Sequence, residues 1–572
     1  MTNNQIIALL DTYADLLELH NENEFKIRSY RAGVFHLEKI TQSIAQLSLN
    51  ELKALPSVGK SIAEKLNEIN QNTQQGTQQN NGSFLDLDNL LKITPIGLLD
   101  ILKIKGIGTK KVRVLWQELG ITTIEALFEA CENDKVAEVK GFGEKTQETI
   151  KNGLLFMAFS SEKSLYIDAE KYALQLEKYI IESGFFDMHS FAGQIRRKTE
   201  IVDTVVLVVC PPTPENMHQV LDECTFISKN QQKSGVFVWR GTFNESLHLK
   251  IEVHFANQAD FYSRLFLLTG TNEHLSHTTE NGKTLLQVAL NQTFVVENDI
   301  FIKANLPDIA PELREGMFEF ELAQKPNMPV LITEKDLKGS LHNHSTYSDG
   351  KNTLKEMADY CQSLGYEYLG ITDHSKAAFY ANGLSEKRVQ EQHAEIDALN
   401  AQNPNFYIFK GIEADILNDG SIDYDAETLK TFDFVVASVH SNLKMNKEKA
   451  TERLIKAIEN PFTTILGHPT GRLLLRREGY PIDYYKVIDA CAANKVAIEI
   501  NAHPLRLDLD WRFVHYALEK GVFIAINPDA HDVLGFHKTQ FGVHIARKGG
   551  LYKEKCLNAL SKEEIKAFFF KL

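Results

Sequence analysis

Seven short motifs between residues 342 and 531 hold the residues best suited to chemistry. They are Leu341-His342-Asn343-His344-Ser345, Ser348-Asp349-Gly350, Thr372-Asp373-His374-Ser375, Gly411-Ile412-Glu413, Ala437-Ser438-Val439-His440, Gly467-His468-Pro469 and Asn527-Pro528-Asp529-Ala530-His531. Imidazoles mixed with carboxylates suit Zn2+, Mn2+ or Fe2+, and so many donors together call for a polynuclear metal site. Divalent ions lower the pKa of bound water towards about 7, so the expected attacking group is a metal-bound water. The same ions would stabilise charge building on the leaving oxygen. Asp373, beside His374, is a candidate for orienting a ligand imidazole. Arg506 is a candidate clamp on the substrate phosphate, because its guanidinium offers a bidentate fork. A lone histidine at a strand end is more often a satisfied core or surface residue, and His254, His503 and His537 are read that way.

These motifs need a scaffold that brings them together. Most close an apolar, strand-like run, such as Glu367–Thr372, Phe434–Ser438, Val496–Asn501 and Phe523–Asn527, with helical stretches such as Leu354–Gln362 between. Strand–helix alternation predicts a parallel sheet, and ligands at strand C-termini predict a barrel-type site.

At 572 residues the chain exceeds one core and is expected to hold three or more domains. Its 43% hydrophobic and 24% charged residues fit a soluble globular protein. No apolar stretch is long enough to span a bilayer, and the opening segment reads as an amphipathic helix with internal acids, not a signal peptide. The cysteines are scattered, without a Cys-x-x-Cys pair, as expected of reduced thiols in a cytoplasm. A net charge of −14 argues against bulk attraction to nucleic acid, so DNA contact requires local motifs.

Three such motifs stand in the first third: Leu55-Pro56-Ser57-Val58-Gly59-Lys60, Ile104-Lys105-Gly106-Ile107-Gly108-Thr109-Lys110 and Val139-Lys140-Gly141-Phe142-Gly143-Glu144-Lys145. Each sets a small-residue turn before a helix, whose N-terminal N–H groups can meet a phosphate. One copy alone would read as a plain helical hairpin. Three make DNA-backbone binding the better reading, through Gly59, Lys60, Gly106, Gly108, Lys110, Gly141, Gly143 and Lys145. The polar stretch Asn70–Ser83 is expected to be a flexible loop or linker.

Together with Phe25-Lys26-Ile27-Arg28-Ser29-Tyr30-Arg31, Arg196-Arg197, Thr269–His274 and Leu306–Glu315, these hairpins make the chain resemble a bacterial or archaeal-type family X DNA polymerase over essentially its whole length. The metal motifs resemble the PHP (polymerase and histidinol phosphatase) domain that ends such polymerases. The resemblance implies a multidomain fold: N-terminal all-α helix-hairpin-helix domains, an α+β nucleotidyltransferase-like palm and a C-terminal α/β distorted (β/α)7 PHP barrel. The implied boundaries are 1–83 (helix-hairpin-helix domain with an Asn/Gln-rich linker), 84–160 (fingers-like helix-hairpin-helix domain), 161–260 (palm), 261–334 (thumb-like region and linker) and 335–572 (PHP metallohydrolase). It also implies three divalent ions. His342, His344, Glu413 and Asp529 would hold the first, Asp349, His374 and His531 the second, and Glu413, His440 and His468 the third.

The palm departs from its family pattern. That pattern is Gly-Ser-x-Arg-Arg, then Gly-Asp-x-Asp, then a third Asp on a neighbouring strand. Here Gly193 is followed by Gln194, and aligning on Arg196-Arg197 puts the two aspartate positions at Thr204 and Val206 and the third at Glu252. Asp203 sits one place early, which on a strand faces the opposite side. Losing two hard anionic ligands predicts a two-metal site, and hence polymerisation, that is weakened or lost. Nucleotide binding by the palm stays open. Lys60 and Lys65 read as solvated helix lysines and not as Schiff-base nucleophiles.

The expected function is a metal-dependent phosphoesterase or nuclease in DNA repair. It would be a 3′→5′ exonuclease or a 3′-end and abasic-site processing enzyme, monomeric, acting on gapped, nicked or 3′-ended DNA without a membrane. One alternative is an active gap-filling polymerase using Asp203 and Glu252. Another is a small-molecule phosphatase of the histidinol-phosphatase type, which leaves the hairpins unexplained.

Overall fold

The computed structural model describes all residues except 39, 41, 75–82, 105–106, 327 and 571–572. They form two compact units, Met1–Ser161 and Glu162–Leu572.

The first unit is helical among the described residues. Its opening helix, Asn3–Leu19, starts at a capping box between Thr2 and Gln5 and buries Ile6, Leu10, Tyr13 and Leu17 along one stripe. All three glycine turns join two helices. Leu49–Ala54 leads to Lys60–Gln74, Gly97–Leu102 to Thr109–Leu119, and Lys135–Glu138 to Gly143–Ser161. The apolar residue of each turn (Val58, Ile107, Phe142) is buried in the shared core, while Gly59, Lys60, Gly108, Lys110, Gly141, Gly143 and Lys145 are exposed. Gly106 lies outside the described residues. In the third turn Gly141 and Gly143 take φ of +94° and +69°, a region L side chains avoid. The linker expectation for Asn70–Ser83 is corrected in part: Asn70–Gln74 continue the preceding helix. Asn70 is buried and donates to the Ile44 carbonyl at 3.0 Å, which ties that turn to the core. Residues 75–82 lie outside the described residues.

The second unit begins with a five-stranded sheet: β1 (Met188–Ala192), β2 (Thr204–Cys210), β3 (Ile227–Lys229), β4 (Val238–Phe243) and β5 (Ser246–Phe255), in the order β1-β2-β5-β4-β3. Strand β2 runs parallel to β5, with Val206 opposite Glu252. Val205 and Leu207 point into the core, so Thr204 and Val206 belong to the other face.

The barrel follows. Among the described residues it has seven parallel strands in sequential order: β6 (Gly339–Ser340), β7 (Tyr368–Ile371), β8 (Tyr407–Asp415), β9 (Phe434–Ser438), β10 (Ile465–Leu466), β11 (Ala497–Asn501) and β12 (Ile524–Asn527). These strands are nearly all buried, as expected when helices cover a parallel sheet. The seam between β6 and β12 is bridged by buried Asn558. Its amide donates to the Gly339 carbonyl and to Asn527 Oδ1, both at 3.1 Å, and accepts from Ile526 N at 2.7 Å. At the N-terminal end of the strands Phe569 closes the interior, stacked on Phe434 with centroids 4.8 Å apart. The open end is therefore the C-terminal one.

Buried charges tie the barrel to the segments before it. Trp511 and Arg512 both donate to Glu200, at 3.2 and 3.1 Å. On the helix Thr539–Lys548, Arg547 pairs with Glu312 at 2.7 Å, and Lys548, 1% exposed, pairs with Glu315.

Candidate metal centre at the barrel mouth

All nine sequence-predicted ligands converge at the C-terminal end of the barrel. His342 and His344 follow β6, His374 follows β7, Glu413 lies in β8, His440 follows β9, His468 follows β10, and Asp529 and His531 follow β12. Asp349 comes from the loop after His344. Glu413 stands at the middle. One carboxylate oxygen faces His342 Nε2 (3.4 Å), His440 Nε2 (3.1 Å) and His468 Nε2 (3.0 Å), and the other faces His374 Nδ1 (3.0 Å) and His344 Nε2 (3.7 Å). Asp529 Oδ1 faces His344 at 3.1 Å, His342 at 3.6 Å and His531 at 3.7 Å. Asp349 lies 3.5 to 3.9 Å from His531, His374 and His344.

The donor atoms fall into three ion-sized groups: His342, His344 and Asp529; His344, Asp349, His374 and His531; and His374, Glu413 and His440. The grouping differs from the expected one at four places: Glu413 is absent from the first group, His344 joins the second, His374 joins the third, and His468 falls in none of them, although its Nε2 is 3.0 Å from Glu413. The donors suit divalent cations. His342 Nε2, His344 Nδ1 and His374 Nδ1 are buried without a hydrogen-bond partner, an arrangement a bound cation would satisfy.

Electrostatics agree with this. Burial disfavours an imidazolium at His342, yet Glu499, Glu413 and Asp529 raise it well above its ordinary pKa. Against the same burial, Glu413 and Asp415 push His440 up to about 10, and Asp349 and Asp529 push His531 up to about 9. Despite burial, the histidines hold Glu413 and Asp529 well below the carboxylate range and Asp349 at about 2. His344 falls to about 3, through burial and then His531 and His374. Without cations, imidazolium charge balances the carboxylates, so binding ions must release protons.

A second ring of residues holds the donors in place. Glu499, in β11, accepts from His342 Nδ1 at 2.7 Å and from Asn527 at 3.0 Å. Asp415, at the end of β8, accepts from His440 Nδ1 at 2.7 Å. Asn501 donates to Asp529 Oδ2 at 3.0 Å. Sequence reasoning missed these three. The available signal was a carboxylate or amide inside an otherwise apolar strand run, where burial without a partner is costly.

Asp373 has a different role from the expected one. Its carboxylate accepts from Ser345 N (2.8 Å), Ser345 Oγ (2.6 Å), Ser348 Oγ (2.5 Å) and Gln392 Nε2 (2.6 Å), so it braces the loop between His344 and Asp349, not the His374 ring. Arg506 reaches the rim, with Nε 3.9 Å from Asp529 Oδ2. His254 pairs with Glu252 in the palm, and His537 with Tyr360 at 2.8 Å. His503, at the rim, is lowered to about 4 by burial and then by Lys538.

The palm positions also come together, but differently. Thr204, Val206 and Glu252 share a face, and Glu252 is the one carboxylate among them. Arg240 Nε donates to it at 2.8 Å and His254 Nε2 lies at 2.9 Å; their hydrogen bonds, His254's first, hold it at about 2 against burial. Gln194 Oε1 accepts from the backbone N–H of Asp203 and Thr204 at 3.0 and 3.2 Å. Arg196 is bidentate to Glu297, which also accepts from Arg314, and Arg197 pairs with Glu315 at 2.9 Å. Gly193, at φ +56°, lies against Val206.

Family profiles match three stretches: a helix-hairpin-helix domain over residues 1–75, a SAM-like helix-hairpin-helix tandem over 98–154 and a PHP domain over 340–503. The barrel segment is similar to a probable phosphatase of Acetivibrio thermocellus, 30% identical over 202 residues, which are 33% of this chain and 78% of that protein. A probable phosphatase of Vibrio atlanticus is 31% identical over 211 residues, 34% of this chain and 79% of that protein. The DNA polymerase/3′-5′ exonuclease PolX of Bacillus subtilis is 34% identical over 579 aligned residues, 99% of each chain. With that full-length match, the helical hairpins and the PHP barrel together, the chain belongs to the family X DNA polymerases that end in a PHP domain.

Proposed function

We propose that this chain is a metal-dependent DNA phosphoesterase, a 3′→5′ exonuclease or 3′-end and abasic-site trimming enzyme, whose polymerase activity is weakened or lost. The carrying observation is that the barrel mouth gathers nine donor residues, with His342 Nε2, His344 Nδ1 and His374 Nδ1 buried without a hydrogen-bond partner, while the single carboxylate among the palm positions is already neutralised. Three divalent ions (Mn2+, Zn2+ or Fe2+) held by these nine residues would activate water and screen the charge of the ester. Glu499 and Asp415 keep His342 and His440 in the tautomers that present Nε2 to the centre. Asp373 keeps the Asp349 loop rigid, and Arg506 would take a non-bridging phosphate oxygen.

The PolX relative's printed name joins polymerase and exonuclease. In this chain Asp203 does not replace the missing palm aspartates, because it precedes Thr204 and falls on the opposite face. The assignment extends to the parts: residues 1–83 and 84–160 grip DNA phosphates through the three turns, 161–260 are the palm, 261–334 the thumb-like region and 335–572 the nuclease.

The test is a labelled gapped primer–template with the purified protein and Mn2+, with and without the four deoxynucleotides. Shortening in both arms, abolished by chelator and restored by Mn2+, is expected. Extension when nucleotides are present would overturn the silent palm. No cleavage under any metal would overturn the nuclease.

A further inference from the structure

Beside the metal centre a short loop holds two large rings in solvent. Phe379 is 86% exposed, more than any other large apolar side chain among the described residues, and Tyr380 is 60% exposed. They share a single 3-10 turn, Phe379–Ala381, whose flanking Ala378 and Ala381 are buried.

The loop beneath them is fixed to the metal-ligand segments. Ser375 N donates to the Glu413 carbonyl at 3.0 Å, Leu384 N to the His374 carbonyl at 2.8 Å, and Gly383 N to the Ala378 carbonyl at 3.1 Å. Asn382, at φ +57°, donates its amide to the carbonyl of Tyr347 at 3.3 Å, and Arg388 Nη1 donates to the Asn382 carbonyl at 2.7 Å. A Cβ on Gly383 would lie 1.9 Å from the Ser375 carbonyl, so the loop closes this way only with glycine. The two rings thus stand on a rigid pedestal, although their exposure opposes the hydrophobic effect.

Their placement links them to the reaction centre. The Tyr380 ring centroid is 6.4 Å from that of His374, and Phe379 lies 6.1 Å beyond, nearly perpendicular at 77°. Arg506 stands at the same mouth, its Nε 3.9 Å from Asp529 Oδ2.

We propose that Phe379 and Tyr380 form a base-stacking platform that receives the unpaired bases at the end of a single DNA strand whose phosphodiester lies over the metal centre. This rests on the nuclease reading above. An enzyme that removes successive nucleotides meets every base, and stacking suits that demand because each base has a π face. Two solvent-exposed rings offer grip without sequence choice. A paired end would have to fray before its bases could reach the platform, so single-stranded or frayed 3′ ends are the favoured substrate.

The experiment compares kcat/KM of the full chain with Mn2+ on a single-stranded oligonucleotide and on the same strand with abasic tetrahydrofuran residues at its last two positions. Phe379→Ala and Tyr380→Ala are each expected to lower kcat/KM on the base-bearing strand, chiefly through KM, by on the order of ten-fold. Neither should lower it further on the abasic strand. Phe379→Trp and Tyr380→Phe should retain activity, which separates stacking from a role of the hydroxyl. Unchanged kinetics in both alanine variants, or equal loss on the two strands, would overturn the platform. A strand ending in 5-iodouracil gives a readout independent of cleavage: on irradiation it should crosslink to Phe379 or Tyr380. Cleavage without that crosslink sinks the platform and leaves the nuclease standing. A wild type that crosslinks but cuts no DNA supports the platform and sinks the nuclease.

Discussion

The palm face and the barrel mouth are both histidine- and carboxylate-bearing constellations on parallel strands, yet their charge balance is opposite. In the palm, Glu252 is covered by Arg240 and His254, and the Arg196-Arg197 pair is occupied by Glu297 and Glu315. In the barrel, Glu413 is ringed by imidazoles and Asp529 by imidazoles, the Asn501 amide and, at 3.9 Å, Arg506, and several of the imidazoles have nitrogens left without a hydrogen-bond partner. Side chains that resemble a metal site are therefore not enough. What separates the two regions is whether the carboxylates have already found a permanent cation in the protein.

The largest effect should come from emptying the barrel of donors. The double change His342→Ala and His344→Ala is expected to reduce DNA cleavage to background while leaving DNA binding by gel shift intact, since the hairpins are untouched. Next is Glu499→Gln, which weakens the acceptor for His342 without touching a donor. A loss of roughly 10–100-fold in Mn2+ affinity or activity is expected, and isothermal titration of metal into chelated protein would measure it.

On the palm side, Glu297→Gln would leave Arg196 and Arg314 facing a neutral amide in a largely buried site. A cost of about 3 kcal/mol in chemical denaturation is expected. Arg196 and Arg314 hold Glu297 at about 2 even though burial opposes its charge. A depressed carboxylate stabilises the fold above its unfolded value, about 4.3, and that contribution disappears as pH falls towards 2. The variant should accordingly show a shallower loss of stability than the wild type across that acid window. The smallest effect belongs to Glu252→Ala, which should leave cleavage within two-fold of wild type, about the scatter of such comparisons. A large loss of nucleotide addition on that change would instead revive the polymerase alternative and blur the contrast between the two regions.

The candidate metal centre was readable because most of its donors sit in short motifs at or near the end of a strand-like run, and topology alone brings such ends together. The supporting ring was harder to see. Glu499 lies inside a mostly apolar strand and Asp415 closes one two residues after Glu413, so nothing in the sequence sets either apart as a partner of a ligand imidazole. Asp373 misled because adjacency to His374 suggested contact, while neighbours along an extended backbone point opposite ways. In the palm, the register of Thr204, Val206 and Glu252 followed from strand periodicity. The partners of Arg196 and Arg197 did not, since Glu297 and Glu315 are more than a hundred residues away along the chain. Asn70 was read from composition as linker, but the buried hydrogen bond of its amide extends the helix.

The ion pair between Lys548 and Glu315 bears on how such a molecule can change by descent. The ammonium is almost wholly enclosed, and its counter-charge comes from upstream of the barrel. A deletion that removed the segments upstream of the barrel would take away that counter-charge, open the ammonium to water and uncover Trp511, which now donates to Glu200. A lineage that shed those upstream segments would therefore have to re-surface Lys548 and Trp511 as well as delete what covers them.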